Sequence, residues 1–134
     1  MLVIDASVLV VALVDDGEDG MNARERLQGS TLAAPELIDL EVLSVLRRHV
    51  AAGLTTDHRG EEAMVDLMDL PLRRAPHRPL LRRCWELRHN FTTYDACYVA
   101  LAEAIDTTLL TADSRLARAT GLRCQVEALP RSRS

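Results

Sequence analysis

The sequence predicts an α/β fold, a three-layer α/β/α sandwich around a parallel sheet, and three observations carry that expectation. Short apolar segments that suit buried strands, Leu2 to Ile4, Thr31 to Ala34, Leu70 to Arg74, Thr107 to Leu110 and Arg123 to Val126, alternate with segments of helical period. Such alternation requires crossover connections, which are right-handed and lay helices on both faces of a parallel sheet. The helix at Tyr94 to Ala104 is apolar all round apart from Asp95 and Glu103, as a helix against the sheet should be. Finally, 134 residues with 48% hydrophobic content suit one core and give no sign of a second domain. The folded domain is expected over residues 1–129, followed by a disordered tail at 130–134.

The first strand sets the problem that the rest of the chain answers. From Leu2 to Val14 every residue except Asp5 and Ser7 is hydrophobic, so Asp5 is carried into the core. A buried carboxylate must take up a proton or find a cation. A short helix over Ala6 to Val14 follows, and then an acidic, glycine-broken loop, Asp15 to Gly20, whose spacing does not fit an EF-hand. Met21 to Gln28 is expected as a small amphipathic helix closed by Gly29.

Pro35 is placed at the start of a helix running through Ala52, with Leu37, Leu40, Val45, Leu46 and Val50 as its apolar stripe. Glu41 falls on that buried side with no base one turn away to pair with it. Arg59 to Asp69 forms another amphipathic helix, in which Met64, Leu67 and Met68 serve as core or as a partner surface, core being the default. Pro76 and Pro79 introduce a helix through His89 that buries Leu80, Cys84 and Leu87. Gly121 ends the short helix after Asp113.

Composition excludes several chemistries. All sixteen basic residues are arginines against twenty acids, a net charge of −4, so no global positive field attracts nucleic acid and lysine-dependent catalysis is absent. Cys84, Cys97 and Cys124 are odd in number and without CxxC spacing, as expected of reduced thiols in a cytoplasmic protein. No signal peptide or membrane span is expected, and no membrane partner. None of His49, His58, His77 and His89 has metal-ligand spacing, and all are expected as surface or hydrogen-bonded side chains.

Asp5, Asp95 and Asp113 share a form: two follow strands directly and the third opens a buried helix, with Glu41 joining from a helix face. Ligands of open parallel sheets bind beyond the carboxyl ends of strands, where Asp5 and Asp113 stand. Convergent carboxylates repel, and a hard dication such as Mg²⁺ or Mn²⁺ suits an all-oxygen site. Each acid also has a structural role open to it. Asp95 fits a Thr92-x-x-Asp95 capping box, Asp113 an N-cap, Glu41 a protonated core acid and Asp5 a turn. Ser7 and Thr111 are candidates for orienting carboxylates or water, or for satisfying local backbone.

With these residues in view, the chain resembles the PIN-domain ribonucleases, and within them the VapC toxins of bacterial toxin–antitoxin modules. The matching pieces are Ile4-Asp5-Ala6-Ser7, Ala34-Pro35-Glu36-Leu37 leading to Glu41-Val42 and Leu46-Arg47-Arg48, Tyr94-Asp95-Ala96 through Glu103, and Leu110-Thr111-Ala112-Asp113. The resemblance implies a sheet of order 3-2-1-4-5 that brings Asp5 against Asp113. It further implies a metal-dependent endoribonuclease with Asp5, Glu41, Asp95 and Asp113 holding Mg²⁺ or Mn²⁺, an RNA substrate, a cognate VapB-like antitoxin over the acidic pocket, and a homodimer.

Arg73, Arg74, Arg78, Arg82, Arg83 and Arg88 form the densest basic segment; Arg82 stands i to i+4 from Glu86, and a solvated face is favoured over RNA contact. Trp85 and Tyr94 are expected in the core rather than stacked on bases. Two other functions compete. A non-catalytic RNA- or protein-binding module would keep the acids for stability alone. An aspartate-based phosphatase would need a second aspartate at Ser7 and a lysine.

Overall fold

The computed structural model describes residues 1–132. Five parallel strands, β1 (Leu2–Ile4), β2 (Leu32–Pro35), β3 (Leu72–Ala75), β4 (Thr108–Thr111) and β5 (Val126–Ala128), form one sheet in the order β3-β2-β1-β4-β5. Register is fixed on the central strand, where Val3 pairs with Ala33 on one side and Leu109 on the other. Every residue of β1 is buried, as a strand covered on both faces must be. Among the described residues seven α-helices surround the sheet: α1 (Ala6–Val14), α2 (Glu18–Leu27), α3 (Leu37–Ala51), α4 (Asp57–Asp69), α5 (Leu81–Glu86), α6 (Thr93–Ala104) and α7 (Ser114–Ala117). The expected fold class and strand order are those observed.

Several element boundaries differ from expectation, each for a local reason. Helix α2 begins at Glu18, three residues before the expected Met21, so Gly20 lies inside it and not in a loop. A Cβ at Gly20 would fall onto the carbonyl of Asp15, so glycine lets α2 start close against the end of α1. Arg24 completes that junction by donating from Nη1 to the carbonyls of Ala12 and Asp15, at 3.1 and 2.9 Å. Pro35 closes β2 and does not open α3. Proline suits that place because the strand ends there, and α3 is started instead by Leu37 N–H donating to His77 Nε2 at 2.9 Å.

The buried face of α3 is Ile38, Val42 and Leu46, whereas Leu40, expected in the stripe, is 70% exposed. On α4, Ala63 and Leu67 are buried and Met68 points outward, so the core reading holds for Leu67 but not for Met68. Between β3 and α6, Arg78–Leu80 is a turn of 3₁₀ helix and α5 stops at Glu86, short of the expected His89, while Leu80, Cys84 and Leu87 are buried as expected. Trp85 and Tyr94 are 67% and 61% exposed, contrary to the core expectation. Arg88 stacks 4.4 Å from the Trp85 ring.

Glu86 pairs with Arg83 at 3.5 Å and not with Arg82, because Arg83 is drawn inward by Glu103 at 2.6 Å. Arg74 is likewise committed, to Asp39 at 2.8 Å. Helix α7 stops at Ala117, and Gly121 with φ of 88° then turns the chain, delaying β5 by three residues against the expected Arg123. Cys84 and Cys97 are buried free thiols, and burial pushes the Cys97 thiol up to about 12, where it is inert. In the tail, Ser132 donates from its backbone N–H to Asp19 at 2.7 Å; residues 133 and 134 lie outside the described residues. Among the described residues no helix is long and apolar enough to cross a membrane.

Candidate active site

Asp5 follows β1 immediately and caps α1, its Oδ1 accepting from Val8 N–H at 3.2 Å. It is 7% exposed, and two hydroxyls hold it. Ser7 Oγ donates to Oδ1 at 2.5 Å, and Thr111 Oγ1 donates to Oδ2 in a very short hydrogen bond. Both hydroxyls also accept: Ser7 from Ala112 N–H at 2.9 Å, Thr111 from Asp113 N–H at 3.0 Å. Ser7 and Thr111 therefore lock the turn after β1 to the turn after β4, which neighbours it in the sheet. Both uses considered for them, orienting a carboxylate and satisfying backbone, are realised at once.

Asp113 is bridged to Asp5 through Thr111, which accepts from its backbone N–H, while its own carboxylate is engaged by Arg115. It caps α7 by accepting from Arg115 N–H at 2.9 Å, and the Arg115 guanidinium lies over it, Nη2 to Oδ2 at 3.2 Å. Asp95 stands in the first turn of α6, which Thr92 caps by accepting from Asp95 N–H at 3.2 Å. Glu41, one turn into α3 and half-buried, accepts from the hydroxyl of Tyr98 at 2.5 Å. The site is thus assembled from the ends of β1 and β4 and the first turns of α3 and α6.

Burial and neighbouring charge act differently on the four acids. Burial pushes Asp5 above the usual carboxylate range; hydrogen bonds from Ser7, Thr111 and Val8 pull the other way, and the charge on Asp95 adds to the rise. Burial also raises Glu41, countered by Tyr98 and reinforced by Asp95 and Asp5. Asp95 is raised by burial first, lowered by Thr92, and raised again by Asp113. Asp113 alone is lowered, because Arg115 neutralises it. Asp5 and Glu41 therefore both sense the charge of Asp95, Glu41 also senses Asp5, and Asp113 acts on Asp95. Among the described residues no three His, Cys, Asp or Glu side chains are drawn together tightly enough to enclose an ion as they stand. The donor chemistry nonetheless fits a hard dication: all oxygen, charge in excess, and one carboxylate buried without a cation beside it.

Comparison with known proteins then decides the family. The PIN domain matches residues 2–122. The chain is 44% identical over 126 residues to "Ribonuclease VapC1" of Mycobacterium tuberculosis, covering 93% of this chain and 95% of that protein. This chain belongs to the PIN-domain family, among the VapC proteins. It is also 39% identical over 127 residues to "Ribonuclease VapC12" of M. tuberculosis, covering 95% of this chain and 98% of that one. The fold is shared with VapBC2 of Rickettsia felis bound to a promoter DNA fragment, at a TM-score of 0.69 and 16% identity over 96% of this chain and 98% of that one. It is shared too with the M. tuberculosis VapC20 toxin, which cleaves the sarcin-ricin loop, at 0.64 and 13% over 84% and 88%.

Two contributors to this VapC site were not singled out from the sequence. Tyr98 lies one turn after Asp95 on α6, and that i to i+3 spacing was the available signal. Arg115 lies two residues after Asp113, where its backbone N–H is capped and its side chain folds back. Replacing Tyr98 by Phe removes the hydroxyl that favours ionised Glu41, so the Glu41 pKa rises further and less of it is ionised at any given pH. Cleavage by Tyr98→Phe is expected to fall about tenfold near neutrality and to recover at higher pH, which a pH–rate profile would record.

Proposed function

We propose that this protein is a metal-dependent endoribonuclease acting in the cytoplasm as the toxin of a type II toxin–antitoxin module. The observation that carries the reading is the placing of Asp5, Glu41 and Asp95 at the carboxyl end of a parallel sheet, Asp5 being buried with no ion pair among the described residues, in a chain 44% identical to a VapC ribonuclease. Asp5, Glu41, Asp95 and Asp113 would hold Mg²⁺ or Mn²⁺, which when bound lowers the pKa of water and offsets charge on the phosphate. The protein's own share is to keep oxygens ionised and aimed. Ser7 and Thr111 fix both oxygens of Asp5, and Tyr98 fixes Glu41. Arg115 pairs with Asp113 at 3.2 Å and holds its charge in check.

A VapB-like antitoxin covering the acidic pocket, and a homodimer, complete the reading; the VapBC assembly of R. felis supports the first. For a self-associating surface, the exposed Val65 and Met68 of α4 are the candidates, Leu67 being buried. The phosphatase alternative loses ground, since Ser7 occupies the place of the second aspartate and is committed to Asp5 and Ala112.

The test is incubation of purified protein with total RNA in Mg²⁺ or Mn²⁺, with fragment ends sequenced. Internal cuts that disappear in EDTA are expected. Intact RNA at stoichiometric protein would leave the non-catalytic module as the better account, and equal cutting in EDTA would contradict the metal dependence.

A further inference from the structure

Beside Asp95 and Asp113 lies a cavity of about 210 Å³, whose other walls are Asn90, Phe91 and Thr92 on one side and Arg115, Leu116 and Ala119 on the other. The geometry points to this cavity as a nucleoside subsite, in which Arg115 takes the phosphate next to the scissile bond and Asn90 reads an edge of the adjoining base. The inference rests on the ribonuclease reading and deepens it, by naming where one nucleotide sits and what holds it.

Size and lining suit that occupant. At 210 Å³ the cavity is smaller than ordinary ligand pockets of roughly 300–1,000 Å³, which suits a single base with its ribose outside and excludes a helix or strand of a protein partner. Half-buried Phe91 and buried Leu116 offer apolar walls against which a base can stack. Asn90 lies close against the turn at Gly121. Its Nδ2 donates to the Thr120 carbonyl at 3.4 Å, and a Cβ on Gly121 would come within 2.5 Å of the same nitrogen. Gly121, at φ of 88°, admits the carboxamide to a place that a side chain would deny it. An amide held in that manner at the mouth of a base-sized cavity can discriminate by hydrogen bonding.

Arg115 is placed to change partners. Its side chain is 85% exposed, and its contacts to Asp113, 3.4 Å from Nε and 3.2 Å from Nη2, are long for a guanidinium–carboxylate pair. An exposed pair of this kind contributes little, so exchanging it for a bidentate phosphate contact costs little once a dication neutralises Asp113.

The test uses fluorescein-labelled, randomised RNA 12-mers with Mn²⁺ for cleavage, and with Ca²⁺ for binding by anisotropy across a salt series. Wild type, Asn90→Ala, Arg115→Ala and Arg115→Lys are compared, with melting curves to verify folding. Arg115→Ala is expected to raise KM about tenfold with a smaller change in kcat. It should also flatten the slope of log affinity against log salt by about 0.7, the share of one phosphate contact on a single strand, and Arg115→Lys should restore the slope. Asn90→Ala should erase the base preference at one position flanking the cut, a loss on the order of tenfold at the preferred base. A wild type that cuts RNA, beside folded variants with unchanged KM, salt slope and cut-site profile, would overturn the subsite and leave the ribonuclease reading intact. A wild type that cuts no RNA overturns that reading, and the subsite with it.

Discussion

Asp5→Asn is expected to abolish cleavage and yet to stabilise the metal-free protein. The loss of activity should reach about 10³-fold, the upper end of what removing one electrostatic stabiliser costs. The gain in stability follows from burial. Asp5 is 7% exposed, and as a carboxylate it is repelled by Asp95. An asparagine there keeps an acceptor for Ser7 and Val8 while shedding the charge, provided the Thr111 hydroxyl turns to accept from the new amide. Because the folded pKa of Asp5 lies above its unfolded value, the stability linked to its proton is complete below the ordinary carboxylate range and lost as pH rises through the folded pKa. The advantage of Asp5→Asn should therefore grow from pH 4 to pH 8. At the upper end a rise in Tm of a few degrees is expected, about 1 kcal/mol corresponding to roughly 3–5 °C in a domain of this size. Differential scanning calorimetry without metal checks it, and a Tm that falls equally at both pH values would contradict it.

The second large effect is on the acid limb of the pH–rate profile. Asp5, Glu41 and Asp95 are all raised, and a carboxylate must be ionised to hold a dication. If two protons leave for each ion bound, the rate should climb about 100-fold per pH unit below the highest of these pKa values and level off above it. Asp113 does not contribute to this limb, because Arg115 keeps it below the usual range. A profile that is flat down to pH 4.5 would show that the three acids do not act together. Raising the metal concentration should move the limb to lower pH, since metal and protons compete for the same oxygens.

What could be foreseen in the sequence, and what could not, divides along physical lines. The apolar run around Asp5 identified the central strand because nothing but a core tolerates eleven hydrophobic residues interrupted only by one acid and one serine. Asp95 and Asp113 were legible from their places at a helix start and a strand end, and the structure puts both there. The face of α3 was misjudged because apolar residues occupy both of its sides: Ile38, Val42 and Leu46 go inward while Leu40 and Leu43 stay out, and a helical period alone cannot choose between them.

Trp85 and Tyr94 were misplaced by treating size as burial; α5 and α6 turn both outward around the buried Cys84 and Cys97. The position of β5 was lost to Gly121, whose positive φ spends the expected strand residues on a turn. Arg115 was invisible for another reason. Its role depends on a side chain folding back across a helix cap, a geometry that composition does not record.

The central claim is that these four acids, far apart in sequence, share one divalent cation. Titration of the metal-free protein with Mn²⁺ in a calorimeter, at pH 8 and beside Asp5→Asn, tests it most directly. Saturable uptake by the wild type, with protons released and at least tenfold weaker uptake by the variant, is the expected result. Wild type and variant taking up Mn²⁺ alike, or neither taking it up at all, would contradict the account.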